Sequence, residues 1–420
     1  MKTYTPDLDP AVLDRLRDYA ALFADDFPQA KPAAWAGVYL EGPLLDGDRK
    51  SIEPLSRRVT LPPGLASKDP EQALQQFVNQ GPWDERAVLR RYRATLARAF
   101  ASPKGVFLID DVSFPKQGEH SVGVQRQYCG ALGKKANCQV AVSVHYVSPE
   151  GHFPLDLRLY LPEGWLADED RLDKAGVPEA ERRPLTKPEI ALELLDRVRA
   201  EGLPGSVVVA DAGYGVSRDL RDGLTARELH YVVGATSDLV VFPDRPTWVP
   251  PQPAPNGRPQ TRCRLADGSP PPVSAGELAT RRRRRKVTWR EGTKGKLAAR
   301  FAWVRVWPGH DWRQGKCAGA DPVWLLVEEQ ADGTIKYALS NLPADTSCKA
   351  AVRLWKSRWP VEQGYQQLKE GLGLDHFEGR SWRGFHHHAA MAALAYGFLL
   401  LEKLAAPPAP RRRGKKGARG

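Results

Sequence analysis

The chain has 420 residues and carries 62 Lys and Arg against 50 Asp and Glu, a formal net charge of +12. At that length two or three domains are expected, because a single core rarely grows beyond roughly 250–300 residues. A hydrophobic fraction of 42% with 27% charged residues excludes disorder along most of the chain.

The cysteines Cys129, Cys138, Cys263, Cys317 and Cys348 form no C-x-x-C pair, which speaks against a zinc ribbon or a disulfide framework and for inert thiols. The opening MKTYTPDLDPAVLDRL lacks the apolar run of a signal peptide, so the protein is expected in the cytoplasm. The longest apolar stretch, AAMAALAYGFLLL, is shorter than the roughly 20 residues that cross a bilayer, and no membrane span is read.

Residues 1–100 are read as a helical N-terminal region that binds DNA. LDRLRDYAALFADDF has apolar residues at helical spacing, and PWDERAVLRRYRATLARAF opens with Pro82 and Asp84 as start signals. The cations Arg49, Lys50, Arg57, Arg58, Arg90, Arg91, Arg93 and Arg98 are either a solvated face or a DNA contact.

From residue 105 the hydrophobic period changes to two. GVFLIDDVSF, HSVGVQRQYCG, ANCQVAVSVHYVS and FPLDLRLYLP predict a first strand leading into an antiparallel meander. LTKPEIALELLDRVRAEGLPG predicts a helix, with Thr186 as N-cap, Pro188 in the first turn and Gly202 as the stop. SVVVADAGYG is a buried strand ending at Asp211, followed by a helix and the strand YVVGAT, a pattern that suits a mixed α/β sheet.

Residues 241–342 break this order. A proline-rich stretch precedes the run Arg281, Arg282, Arg283, Arg284, Arg285 and Lys286, after which AWVRVW, PVWLLVEEQ and IKYALSNL return to strands. We read a β-rich insertion with an exposed basic loop that binds backbone phosphate. Residues 343–405 are helical, and 406–420 form a disordered basic tail. The run and the tail together carry as much positive charge as the whole net excess, which favours a polyanionic partner.

Asp110 and Asp111 close one apolar strand and Asp211 another. In VEQGYQQLKEG, Glu362, Gln366 and Lys369 fall on one helical face. If Asp110, Asp211 and Glu362 converge, their mutual repulsion calls for divalent cations, and oxygen donors suit Mg²⁺ or Mn²⁺ in phosphoryl transfer.

With these residues in place, the chain resembles insertion-sequence transposases of the DDE superfamily. LIDDVSFPKQGEHSVGVQRQYCGALGKKANCQVAVS is similar to the opening of their catalytic domain, and VVVADAGYG to its second-aspartate strand. The family's Y-x2-R-x3-E-x6-K signature is met by Arg358, Glu362 and Lys369, with Trp355 in the tyrosine position.

The resemblance implies an RNase H-like mixed-sheet core (residues 101–240 and 343–405) split by the β-rich insertion. It implies Asp110, Asp211 and Glu362 as ligands of two Mg²⁺ or Mn²⁺ ions, and Arg358 and Lys369 as phosphate contacts. It implies cutting of double-stranded DNA at transposon ends, joining to target DNA, and a homodimer that holds two ends. The rival readings are a metal-dependent nuclease without strand transfer and a non-catalytic DNA-binding regulator.

Asp111 is the alternative first ligand, since the family's aspartate is usually followed two residues later by Thr or Ser and Ser113 stands there. Asp110 is preferred because it lies in line with the strand. Glu370 is a competing carboxylate turned away from Glu362. His386, His387 and His388 are read as a polar junction or a DNA contact rather than a metal site, and Arg380 and Trp382 as either DNA-proximal or a turn anchor.

Overall fold

The structure is a computed structural model that describes residues 10–251, 262–292, 295–309, 312 and 321–406. The basic tail beyond residue 406, the proline-rich residues 252–261 and Cys317 lie outside the described residues.

The meander comprises β1 (Val106–Pro115), β2 (Gln125–Cys129), β3 (Lys134–Val147) and β4 (His152–Leu159). It is followed by β5 (Val207–Ala210), β6 (His230–Ala235) and β7 (Val240–Phe242). β8 (Trp248–Val249) and β9 (Arg264–Leu265) pair only with each other. Then come β10 (Val273–Ser274), β11 (Arg285–Gly292), β12 (Gly295–Pro308), β13 (Val323–Glu329) and β14 (Ile335–Ser340). Apart from β8 and β9, these form one 12-stranded mixed sheet in the order β10-β7-β12-β13-β14-β6-β5-β1-β3-β2, with β4 also on β3 and β11 also on β12.

β1 lies between antiparallel β3 and parallel β5. That central position explains why Phe107, Leu108 and Ile109 are all fully buried, since both faces of the strand are covered. The helix Lys187–Ala200 packs against β3 and β4. Thr186 and Glu189 form a reciprocal capping box at its start, and Gly202 past its end has φ +82°, both as the sequence predicts. The strands between residues 240 and 340 extend the same sheet, because β14 pairs with β6.

The helix Trp382–Ala405 has 24 residues, longer than its apolar core suggests and long enough to cross a membrane by length and composition. It is a core helix here, apolar all round because helices Ala30–Leu44, Pro70–Asn79 and Glu85–Phe100 and strand β4 surround it. Its three histidines are buried and hydrogen-bonded. His386 Nδ1 lies 2.9 Å from Trp382 O, His387 lies 2.9 Å from Val78 O and 3.0 Å from Trp83 O, and His388 meets Tyr39 Oη at 2.7 Å. The three rings thus sit inside the protein, which fits a polar junction and not the DNA contact also expected of them.

Several cations expected on a solvated or DNA-facing surface are internal ties. Arg93 is 1% exposed, grips Glu201 at 2.5 and 2.6 Å and donates to Leu155 O at 2.9 Å. Arg91 pairs with Asp26 and Lys50 is buried on Leu45 O, whereas Arg49 stays on the surface, paired with the exposed Glu378 at 2.7 Å.

The basic run also departs from the expected loop. Arg281 ends the helix Ala275–Thr280 and pairs with Glu277, while Arg284 meets Glu329 at 2.8 Å. Arg285 and Lys286 begin β11, opposite Phe301 and Arg300 of β12. The run is followed by alternating Val287 and Trp289, which pack on the sheet and draw its end into a strand. Arg282, Arg283, Arg285 and Lys286 remain exposed.

Cys129 and Cys138 are buried free thiols, as expected. Cys263 is disulfide-bonded, which corrects the reading of uniformly unpaired thiols.

Candidate active site

Successive strand residues face opposite sides of a sheet. Leu108 packs with Val361 and Tyr365 of the helix Trp359–Gln366, so Asp110 looks towards that helix and Asp111 towards the other face. There Asp111 accepts from Lys187 Nζ at 2.6 Å and from the Tyr214 hydroxyl. Asp110 accepts only the neighbouring Asp111 N–H, at 2.9 Å, among the hydrogen bonds of its side chain in the described residues.

Asp211 follows the last residue of β5 and caps the single turn Ala212–Gly215, accepting from Tyr214 N–H at 3.3 Å. β1 continues to Pro115, so Asp110 lies within the strand and does not close it as the sequence suggested; the parallel pairing that sets Ile109 beside Ala210 brings it next to Asp211, just past the end of β5. Burial pushes the Asp110 carboxyl up to about 7; the nearby Arg358 guanidinium opposes that and the Asp211 carboxylate adds to it.

Arg358 ends the turn Lys356–Arg358, with its guanidinium 5.7 Å from the Trp355 ring. Its Nε is buried with no hydrogen-bond partner among the described residues. Lys369 is half-buried, donates to Ser113 O at 3.1 Å and sits in the field of Asp110; burial lowers its pKa. Tyr365, partly buried between these groups, shares a hydrogen bond with Ser143, and burial followed by the Asp110 charge raises its pKa.

Glu362 is exposed and lines a groove of about 590 Å³ with Arg358, Lys356, Arg290, Trp289 and Trp359. Among the described residues no three His, Cys, Asp or Glu side chains are grouped to hold a metal ion. The structure therefore brings Asp110 and Asp211 together with Arg358, with Lys369 in the field of Asp110, and leaves Glu362 on the adjoining groove. Two causes are visible. Uncompensated carboxylates repel, and Val361 and Gly364 are the buried side of this helix, which turns Glu362 outward.

The expected single face of Glu362, Gln366 and Lys369 is also altered, because Gln367–Gly371 form a π-turn. The wider turn shifts Lys369 out of α-helical register, and Gln366 instead bonds Glu370 at 2.9 Å. Trp355 is buried and donates its ring N–H to Glu328 at 2.9 Å, with Lys356 on the other carboxylate oxygen. Its polar atom thus faces the interior.

Sequence reasoning did not single out Tyr214, Tyr365, Ser143 or Lys187. Tyr214 stands three residues after Asp211 and Tyr365 three after Glu362, spacings that a capped turn and a helix bring to the same cleft.

The family described as DDE superfamily endonuclease matches residues 22–296, and the chain belongs to it. Within that class, a probable transposase for insertion sequence element IS701 from Microchaete diplosiphon is 30% identical over 227 residues, 53% of this chain and 54% of the relative. The chain thus matches about half the length of that curated relative. Both matches accord with the resemblance drawn from the sequence. Among solved structures, the NurA nuclease from Sulfolobus solfataricus aligns with 66% of this chain and 85% of its own at 10% identity and a TM-score of 0.27, too low to argue a shared fold.

Proposed function

We propose that the protein is an insertion-sequence transposase that cuts DNA at transposon ends and joins the exposed 3′-hydroxyls to target DNA. The observation that carries this reading is the adjacent, partly buried Asp110 and Asp211 beside an Arg358 Nε that has no hydrogen-bond partner among the described residues, in a chain of the DDE endonuclease family. The antiparallel β1, β3 and β4 and the parallel β5 and β6 supply an RNase H-like core, and the strands of 241–342 the insertion. Helical residues 1–100, residues 343–405 and the tail 406–420 complete the division.

The donor set suits a hard divalent cation. A pair of carboxylates in which burial pushes one up to about 7 gains most from a positive ion, and all the donors are oxygen. Asp110 and Asp211 would hold Mg²⁺ or Mn²⁺, one or two ions, with Glu362 as the third carboxylate. Such an ion supplies Lewis acidity to the phosphate and charge neutralisation at the attacking and leaving oxygens.

The chain's own residues bind and orient the DNA. Arg358 presents a guanidinium beside Asp110 that suits a phosphate, and Lys369 adds a second cation. Arg282, Arg283, Arg285, Lys286 and Arg290 are exposed at and near the hairpin of β11 and β12 and attract backbone without sequence preference. Hydrolysis breaks a P–O bond and frees a 3′-OH; that hydroxyl then attacks a target phosphodiester, whose own 3′-oxygen leaves. Two ends cut together call for a homodimer.

The test is Mg²⁺-dependent cleavage and joining of a plasmid carrying the element's flanking ends, wild type against Glu362→Gln. End-specific cutting and joining, lost in the variant with DNA binding retained, supports the proposal. Cutting indifferent to the ends indicates a nuclease, and binding without cutting a regulator.

A further inference from the structure

We propose that Asp111 is a positioning residue: it ties the turn that carries Asp211 to strand β1 through Tyr214, and so fixes the spacing of Asp110 and Asp211. This rests on the reading of those two carboxylates as a metal-binding pair.

The sheet does not hold Asp211 in place by itself. Pairing of β1 with β5 ends at Ile109 and Ala210, one residue before each aspartate. Asp211 then sits on a single helical turn, held locally by Gly215 N–H on Asp211 O at 2.8 Å and Tyr214 N–H on its carboxylate. One isolated turn of helix is marginal without tertiary support.

Support comes from two sides. From behind, the turn lies flat on β6: a Cβ on Gly215 would come within 2.0 Å of Gly234 O, and one on Gly234 within 2.4 Å of Ala212 N. From the front, the Tyr214 side chain, 3% exposed, crosses to β1 and donates its hydroxyl to Asp111 Oδ1. Lys187 Nζ occupies Asp111 Oδ2 at 2.6 Å from the first turn of the capped helix Lys187–Ala200. Asp111 thus joins β1, the Asp211 turn and that helix, and protein donors engage both of its oxygens.

The test compares Asp111→Ala, Tyr214→Phe and Asp111→Asn in the full chain. Asparagine keeps an acceptor oxygen for Tyr214 while removing the charge and the second acceptor, the one that Lys187 uses. In metal-free protein, amide exchange at Tyr214 and Gly215 is expected to rise about tenfold in Asp111→Ala and Tyr214→Phe, the size of one lost hydrogen bond, with β1 and β5 still protected. Calorimetric Mn²⁺ affinity should fall about tenfold in the same two variants, as for other residues that orient ligands, and stay near wild type in Asp111→Asn.

Unchanged exchange in Asp111→Ala would overturn the tether. Loss of Mn²⁺ in Asp111→Asn as complete as in Asp111→Ala would make Asp111 a ligand and also overturn it. A wild type that binds no Mn²⁺ would overturn the metal-site reading, and exchange in the turn would then decide the tether alone.

Discussion

The buried histidines of the C-terminal helix predict a specific acid sensitivity. Burial holds the His386 and His388 rings down at about 4, against an ordinary value of 6.5. Their bonds suit neutral rings: His386 Nδ1 faces Trp382 O while Nε2 accepts from Leu159 N–H at 3.4 Å, and His388 Nε2 faces Gly373 O at 3.0 Å while Nδ1 meets the Tyr39 hydroxyl. Since the folded value lies below the unfolded one, the unfolded chain binds more protons below pH 6.5. The stability is therefore complete above that pH and lost as pH falls towards 4. At pH 5 each ring costs about 2 kcal/mol, or about 4 kcal/mol for the two. Urea unfolding at pH 7.5 and pH 5.0 measures the fall, and His388→Gln should abolish about 2 kcal/mol of it, since glutamine does not titrate. A variant whose pH-dependent loss equals that of wild type would refute the reasoning, because every other titrating group is common to both.

Other substitutions probe the site and its supports. Trp355→Phe removes the N–H that Glu328, 1% exposed, accepts. It should cost about 2 kcal/mol in urea unfolding while leaving the Mg²⁺ dependence of cleavage unchanged. Gly234→Ala places a Cβ 2.4 Å from Ala212 N and 2.7 Å from Asp211 C. Both are backbone atoms, so the turn must move, and calorimetric Mn²⁺ affinity should drop by about tenfold or more. In EDTA, Asp110→Asn should stabilise the protein by about 2–4 kcal/mol at pH 8, with the gain shrinking towards pH 4. The folded Asp110 carboxyl sits at about 7, above its ordinary 3.8, so the wild type loses stability as pH rises through that value; equal unfolding midpoints at pH 8 would contradict this.

Local signals were the legible ones. The apolar run before Asp110, the Thr186 cap and the strand ending at Asp211 are each specified by residues within a few positions, and each forms as read. The choice of face for Asp110 over Asp111 needed the packing of Leu108 on Val361, a contact between distant parts of the chain. Charge was the least legible property. Arg93 and Arg284 look like their exposed neighbours in sequence, yet Glu201 and Glu329 engage them, and nothing local foretells a partner so far along the chain. The π-turn at Gln367–Gly371 likewise has no periodicity signature, so the face of Lys369 was misread while its proximity to the Asp110 strand was not.

The pairing of β14 with β6 bears on how this molecule can move. Backbone hydrogen bonds run from β2 across β1, β5 and β6 to β12, and β11 hangs from that same β12. A hinge between the carboxylate strands and the basic hairpin would have to break a ladder inside the sheet and leave two raw edges in place of one seam. Force applied to the hairpin is accordingly transmitted along the plane of the sheet towards β5 and the turn that bears Asp211. Glu362 stands outside that ladder, on the helical segment that runs from Arg358 into the π-turn.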